Sequence, residues 1–238
     1  MGLDWNPIGK PVAGHEEEYE KLFKLLSDTP IAGSWRDKFK QLFQRIDRDA
    51  VTKRWLEIQV APYVTIQAPQ VGIDARADEW AKARYKENPP KDKTEAELLY
   101  ELRGYYVVAL APPCDGIPYY SNGPAGYVEL YSFRSQCIVV DCKDIVGKAL
   151  LEKCYQSCLA PGLSALGAEL RACASDYASK HNVIHVEAVR ELDTPEGSPE
   201  SKAHILFSAA RWCEYWSSRG HVDLKPISSL PAAAELRR

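Results

Sequence analysis

Apolar residues recur every three or four positions in several stretches of the chain, a spacing that predicts amphipathic helices. In GHEEEYEKLFKLLSD, an apolar stripe runs from Tyr19 to Leu26, and the glutamates at its start suit the positive end of a helix dipole. The same spacing predicts helices in SWRDKFKQLFQRI, DARADEWAKARYKE and TEAELLYELR, in the stretches that begin at Asp141 and Pro161, and over residues 199–219. Both ends of the chain are therefore predicted to be helical.

The middle of the chain has a different pattern, with runs of β-branched and aromatic residues separated by turn signals. YYVVAL is apolar throughout, as in a strand covered on both faces, whereas GYVELYSFR alternates and CIVVD is a short apolar run. Asp115-Gly116 and Asn122-Gly123 fall between these runs, where such dipeptides indicate hairpins. The pattern predicts an antiparallel meander of several strands, with NVIHVEAVREL as a later strand and short edge strands in WLEIQVAPYVTIQAPQV.

Together these elements predict a single α+β domain over residues 1–238, in which an antiparallel sheet from the middle of the chain packs with several amphipathic helices from both ends. A chain of this length can bury one large core. The loop NPPKDK, residues 88–93, is predicted to be a mobile loop or a sub-boundary, because its prolines and charges suit neither a helix nor a core.

The composition is that of a soluble globular protein, and it narrows the range of partners. Apolar residues make up 45% and charged residues 26% of the chain, and the net charge is -3. Acidic and basic residues are spread evenly, so no basic region is present that would bind nucleic acid. No apolar run approaches the roughly 20 residues of a membrane span, and the N-terminus lacks a secretory signal pattern. We expect a cytoplasmic protein that binds neither nucleic acid nor membrane; the sequence predicts no oligomeric state.

The chain contains seven cysteines, and their number and spacing indicate reduced thiols. An odd number in a long chain without a secretion signal disfavours a disulfide framework. No pair has the two-residue spacing of a zinc knuckle, so neither a metal site nor a cofactor is predicted. Cys154 and Cys158 are expected on one buried helix face, where a free thiol behaves as a small apolar side chain.

Cys114 is the candidate nucleophile, because it lies in the turn Pro112-Pro113-Cys114-Asp115-Gly116 between two predicted strands, at the surface. A catalytic thiol needs a base such as His185 or His204 brought close by the fold, and an environment that favours the thiolate. The neighbouring carboxylate of Asp115 acts in the opposite direction. A structural turn residue is the alternative interpretation.

His185 and Glu187 are the candidate acid–base pair, because they share one face of the predicted strand NVIHVEAVREL. A hydrogen-bonded structural histidine is the alternative. His181 and His185 are four residues apart, a distance along a strand that is too long for both to bind one metal ion.

The strand GYVELYSFR places Tyr127, Glu129, Tyr131 and Phe133 on one face by alternation. An aromatic face with one carboxylate suits a ligand or a partner protein, since tyrosine offers apolar area with a polar tip. The same face equally suits a second core layer under a helix. The sequence alone does not separate these two interpretations.

No phosphate-binding glycine loop, serine-nucleophile turn or zinc-protease helix motif occurs in the chain. We therefore expect a non-enzymatic module that binds a small molecule or a protein through the aromatic hairpin region. The alternative is a small hydrolase-like enzyme with Cys114 or the His185/Glu187 pair at its site. The sequence does not decide whether the protein is an enzyme.

Overall fold

The computed structural model describes residues 4–27, 47–112, 121–122, 127–128, 133–189 and 192–223. Most of these residues are helical, and the α-helices are α1 (Glu16–Ser27), α2 (Arg48–Glu57), α3 (Pro62–Thr65), α4 (Ala75–Glu87), α5 (Glu95–Glu101), α6 (Gln136–Asp141), α7 (Lys143–Cys154), α8 (Ala160–Lys180) and α9 (Pro199–Ser217). Val108–Leu110 and Ile184–Ala188 form 3-10 helices. The prediction of an α+β protein is confirmed in a coarse, helix-dominated form.

The strands of the described residues are short and form separate two-stranded antiparallel ladders. They are β1 (Asp4–Trp5), β2 (Pro7–Ile8), β3 (Lys10–Pro11), β4 (Gln59–Val60), β5 (Ser121–Asn122), β6 (Tyr127–Val128), β7 (Phe133–Arg134) and β8 (Val222–Asp223). The pairs are β1–β7, β2–β8, β3–β4 and β5–β6. Only the β5–β6 pair belongs to the predicted meander, which the described residues do not otherwise form. Residues 4–11 instead pair with three distant parts of the chain.

Three predicted strands of the described region are not strands, and burial explains why. In CIVVD (residues 137–141), now part of α6, Ile138 is buried, and the buried residues on either side are Ser135 and Cys142, at spacings of three and four residues. These spacings are those of a helix. The segment was predicted to be a strand because it is rich in β-branched residues. YYVVAL contributes one isolated bridge at Tyr106 and then turns into a 3-10 helix.

The segment NVIHVEAVREL is the third correction. Asn182 adopts a left-handed conformation with φ 59°, which ends α8, and the chain then forms the 3-10 helix Ile184–Ala188. Val183 and Val186 are buried while Ile184 and His185 are exposed, a spacing of three residues instead of the two expected for a strand.

The helices predicted from regular spacing are confirmed where the structure describes them. α1, α4, α5, α8 and α9 fall within the predicted stretches. Thr94 and Glu97 form a reciprocal capping box at the start of α5, and Ser198 caps α9 through the backbone N–H of Ser201. The chain turns at Gly147, with φ 69°, and breaks α7 there. The predicted helix SWRDKFKQLFQRI lies outside the described residues.

The main core is built around the packing of α8 against α9. α8 contributes a stripe of buried residues, and α9 is buried on most sides over its second half. Gly167 allows the close approach, because a Cβ atom there would lie 2.9 Å from Cβ of Cys213. Trp5 and Phe133 extend this core, with ring centroids 5.1 Å apart.

Two smaller apolar clusters flank the main core. The N-terminal cluster joins α1 and α2 to β8, and its buried members are Tyr19, Phe23, Leu26, Trp55, Ile58 and Val222. The α4–α5 cluster is centred on Val71, Ala77, Ala81 and Val107. The loop at residues 88–93 connects α4 to α5, and its role as a mobile loop or sub-boundary stays a prediction. None of the described helices is both long enough and apolar enough to cross a bilayer.

Candidate functional site

The tyrosine-bearing segment begins on a two-stranded hairpin. β5 and β6 pair with Asn122 opposite Tyr127 and Ser121 opposite Val128, so Asn122 lies in β5 and four residues of the chain connect the two strands. A two-residue turn at Asn122-Gly123 would instead pair residues 121 and 124. Among the described residues, neither strand pairs with a third. Glu129 and Tyr131 lie outside the described residues, so the candidate binding face is described only through the backbone of Tyr127 and through Phe133.

Phe133, the last residue of the candidate binding face, lies in the main core. Its side chain is 6% exposed and packs against Trp5, whose ring in turn lies 5.5 Å from that of Trp212. Phe133 thus anchors the end of the tyrosine segment to the core. This burial favours the core-layer interpretation for Phe133. For Tyr127, Glu129 and Tyr131, both the binding-surface and the core-layer interpretations stay open.

His185 and Glu187 do not contact one another. His185 points to solvent from the 3-10 helix, while the Glu187 carboxylate accepts a hydrogen bond from Nη1 of Arg171 at 2.6 Å. The acid–base interpretation depended on strand geometry, in which the two side chains share a face. On the 3-10 helix that relation is lost, because residues three apart are the ones that align.

Arg171 is the centre of an ion-pair network that ties three elements together. Its Nε and Nη2 atoms donate to both carboxylate oxygens of Glu214 at 2.5 and 2.6 Å, and its Nη1 atom donates to Glu187. The Glu214 carboxylate, followed by Glu187, raises the pKa of Arg171 above its ordinary value. A guanidinium does not exchange protons near neutral pH, so this Arg171 network holds geometry and does not transfer protons.

Arg211 fastens the same 3-10 helix from the other side. It donates hydrogen bonds to the backbone carbonyl of Glu187, to the carbonyl of Val189 at 3.2 Å and to the hydroxyl of Ser208 at 2.9 Å. Carbonyl oxygens at the end of a short helix have no hydrogen-bond donor within that helix, and the Arg211 guanidinium donates to them instead. Together with the Arg171 network, Arg211 fixes the turn that carries His185 against α8 and α9.

His221 is a fully buried histidine whose two ring nitrogens are both bonded. Nδ1 lies 2.7 Å from the carbonyl oxygen of Ile8, and Nε2 lies 2.6 Å from the hydroxyl of Thr65. A carbonyl only accepts, so Nδ1 carries the proton and Nε2 accepts from Thr65. The ring stands edge-on to Trp216 at 5.0 Å. We call this arrangement the His221 clamp.

The environment keeps the imidazole of the His221 clamp neutral. Burial is the main cause that lowers its pKa to about 4, and the nearby positive charges of Lys10 and Arg219 act in the same direction. The hydrogen bond with the Ile8 carbonyl has the opposite effect and raises the pKa of His221. A base with so low a pKa is unprotonated at neutral pH, but its lone pair is occupied by Thr65 and shielded from solvent.

Among the described cysteines, Cys142, Cys154 and Cys213 are buried in the main core. Cys154 is buried as predicted, but α7 ends there, so Cys158 is half-buried in the connection to α8 and does not share a helix face with it. Cys142 is buried, and desolvation raises the pKa of its thiol to about 12. Burial also raises the pKa of Cys173. These thiols are protonated at neutral pH, and Cys114 lies outside the described residues.

Among the described residues, no group of three or more histidine, cysteine, aspartate or glutamate side chains is arranged to hold a metal ion. A shallow depression at the start of α1 is lined by Gly14, Lys21 and the glutamates of the first helical turn. Glu16 and Glu17 are exposed, whereas Glu18 is partly exposed and accepts a hydrogen bond from Nε of Arg54 at 2.7 Å.

No protein-family model, curated protein or solved structure significantly matches this chain, so its function has to be inferred from its own residues. Sequence reasoning singled out neither the Arg171 network nor the His221 clamp. Residues 171 and 214, and residues 8 and 221, are far apart in the sequence, and no local spacing relates them. In the sequence, Arg171 is only a charged residue within a predicted helix, and His221 is only a histidine that follows the helix-ending Gly220.

Proposed function

We propose that this protein is a non-enzymatic binding module, and that the segment beginning at Tyr127 provides its contact surface. The observation that carries the proposal is the antiparallel pairing of β5 with β6, which places this segment on a hairpin. Within the described residues the hairpin pairs with no third strand, so its outer backbone groups have no ladder partner there. A protein or peptide that adds a strand to such an edge gains backbone hydrogen bonds and aromatic contacts together.

The chemistry of the described polar groups supports binding over hydrolysis. Glu187 is held by Arg171, the lone pair of His221 is occupied by Thr65, and the thiol of Cys142 is buried and protonated. Each of these groups stabilises the fold through its contacts. The hydrolase alternative rests on Cys114, and no contact among the described residues favours it.

The first arm of the test measures stability and needs no ligand. If Tyr131 belongs to a contact surface, Tyr131→Ala changes the free energy of unfolding by less than about 0.5 kcal/mol. Phe133→Ala is the matched control, because this aromatic residue packs in the core and its removal costs about 3 kcal/mol or more. Urea denaturation measures both. A loss of about 3 kcal/mol in Tyr131→Ala would assign the tyrosine to a core layer and overturn the proposal.

The second arm measures binding with a displayed library of random peptides. Peptides enriched on the wild-type protein are expected to bind Tyr127→Ala and Tyr131→Ala at least about fivefold more weakly, which corresponds to about 1 kcal/mol each. Tyr100→Ala is the control, because this tyrosine on α5 is 77% exposed and lies outside the hairpin. Equal loss of binding in Tyr100→Ala, or no loss in the hairpin variants, contradicts the proposal.

A further inference from the structure

His221 lies at the joint between the main core and the N-terminal cluster. Its ring contacts Trp216 of the main core, while its chain neighbour Val222 is a buried member of the N-terminal cluster. Val222 also pairs with Ile8 in the β2–β8 ladder, and Ile8 supplies the carbonyl that His221 binds. The imidazole therefore connects residues 4–11 to the end of α9.

The connection requires the neutral form of the imidazole. In that form Nδ1 donates to Ile8 and Nε2 accepts from Thr65, so both ring nitrogens and both partners are satisfied without a buried charge. Protonation adds a hydrogen at Nε2, where the Thr65 hydroxyl now donates. That hydroxyl can rotate to accept, but the positive charge stays buried at a site that is 0% exposed.

The charged groups around His221 make this charge more costly. Lys10, in the strand after Ile8, and Arg219, in the turn after α9, both repel a proton on the ring. Lys10 also lies against Gly220, next to His221 in the chain. α3 faces the ring with the Thr65 hydroxyl, and α9 faces it with the apolar ring of Trp216, so neither contact offers a compensating carboxylate.

We propose that His221 is an acid-sensitive latch: the neutral imidazole holds residues 7–11 and the α1–α2 pair on the main core, and protonation releases them before the core unfolds. Trp5 stays in place, because it is held separately by Phe133, by Trp212 and by a hydrogen bond from Nε1 to the carbonyl of Cys154 at 3.1 Å. The latch is a conformational device that is independent of the proposed binding role.

The sign of the pH dependence follows from proton linkage. The pKa of His221 is about 4 in the folded protein and has an ordinary value of 6.5, so the released form takes up a proton between these limits. Stability of the closed latch is therefore full above pH 6.5 and is lost as the pH falls towards 4. One proton taken up per opening makes the opening constant rise about tenfold per pH unit in this window.

Hydrogen–deuterium exchange of the full chain tests the latch between pH 6.5 and 4.5, with correction for intrinsic exchange rates. Amides of residues 8–10, α1 and α2 are expected to open about tenfold more for each pH unit, while those of α8 and α9 keep their protection. His221→Gln, which cannot be protonated, should show no such slope. His181→Gln is the matched control: it removes an exposed histidine and should retain the wild-type slope.

A second variant decides the question if His221→Gln fails to fold. Lys10→Glu replaces one repelling charge by a carboxylate, so it should raise the pKa of His221 measured by NMR and narrow the pH range over which opening increases. The latch is overturned if α8 and α9 lose protection at the same pH as α1 and α2. It is equally overturned if His221→Gln opens with the wild-type slope or, where that variant does not fold, if Lys10→Glu opens over the same pH range as the wild type.

Discussion

The main core and the N-terminal cluster are both built on amphipathic helices, but they bury them to different degrees. α9 is enclosed: between Leu206 and Trp216 most of its side chains are buried. α1 lies at the surface and buries a single stripe that includes Tyr19, Phe23 and Leu26. An enclosed helix has packing partners on most sides, so it can leave the core only if contacts on all those sides are lost. A surface helix can separate by losing the contacts of one face. The two regions are therefore expected to differ in local stability.

The largest difference between the two regions is expected from leucine truncation. Leu170→Ala empties a fully buried site between α8 and α9, and it should lower the free energy of global unfolding by about 3 kcal/mol. Leu26→Ala should mainly increase local opening of α1 and α2 and leave the exchange protection of α8 unchanged. Urea denaturation combined with hydrogen exchange measures both effects.

Leu25→Ala is the control for this comparison, because Leu25 is 46% exposed and its truncation should change stability by about 0.5 kcal/mol or less. If Leu26→Ala reduces protection in α8 and α9 as strongly as Leu170→Ala does, the two regions unfold as one unit and the comparison fails.

Glycine contacts are expected to have the next largest effect. At Gly167 an added Cβ would lie 2.9 Å from Cβ of Cys213, and both atoms belong to packed helices that have to move apart. Gly167→Ala should therefore lower stability by about 1 to 2 kcal/mol despite the higher helix propensity of alanine. Gly162→Ala is the control, since its Cβ would meet Cys158, at 3.1 Å, in a connecting segment. A stabilised Gly167→Ala variant would show that the α8–α9 contact is looser than the structure indicates.

A single hydrogen bond tests how firmly residues 4–11 are held to the N-terminal cluster. The Tyr19 hydroxyl donates to the carbonyl of Gly9 at 2.6 Å in a buried position. Tyr19→Phe leaves that carbonyl without its partner and should cost about 1 kcal/mol, seen as faster amide exchange in residues 8–10. Tyr100→Phe, at an exposed site on α5, should have no measurable effect. An unchanged exchange rate in Tyr19→Phe would mean that the strand pairs alone hold this segment.

The smallest effect is expected from the surface pair of Glu18 with Arg54. Hydrogen bonds from Arg54, followed by His15, lower the pKa of Glu18 to about 2 from an ordinary value of 4.5. The stabilisation is present above pH 4.5 and is lost as the pH falls towards 2. Because both side chains are partly exposed, salt should weaken it. The difference in urea midpoint between the wild type and Glu18→Gln, at low and at high salt, measures this stabilisation. A difference in midpoint that does not change with salt would contradict the ion-pair explanation.

The pH windows of Glu18 and His221 distinguish the two acid effects. The Glu18 pair, between α1 and α2, loses its stabilisation as the pH falls from 4.5 towards 2, whereas the latch at the joint with the main core loses its stability as the pH falls from 6.5 towards 4. An acid transition that persists in Glu18→Gln but disappears in His221→Gln belongs to the latch. The reverse result assigns it to the surface pair.

The sequence by itself determined the surface-facing helices, because solvent on one side imposes a period that a single chain segment carries within itself. α1, α4 and α8 follow from their apolar spacing, and Thr94 and Ser198 mark helix starts through local caps. The same local logic predicted a hairpin near Asn122-Gly123, and β5 and β6 form one there, although Asn122 itself lies in β5 and pairs with Tyr127.

Only the tertiary structure decided which β-rich segments became strands and which polar residues met. CIVVD became a helix because Ile138 and Cys142 pack one turn apart against the main core, and packing overrides a weak local preference. Arg171 with Glu214, and His221 with Ile8, come together through contacts between residues distant in the chain. Local spacing contains no information about such pairs, since each depends on where two separately formed elements are brought by the burial of apolar surface elsewhere in the molecule.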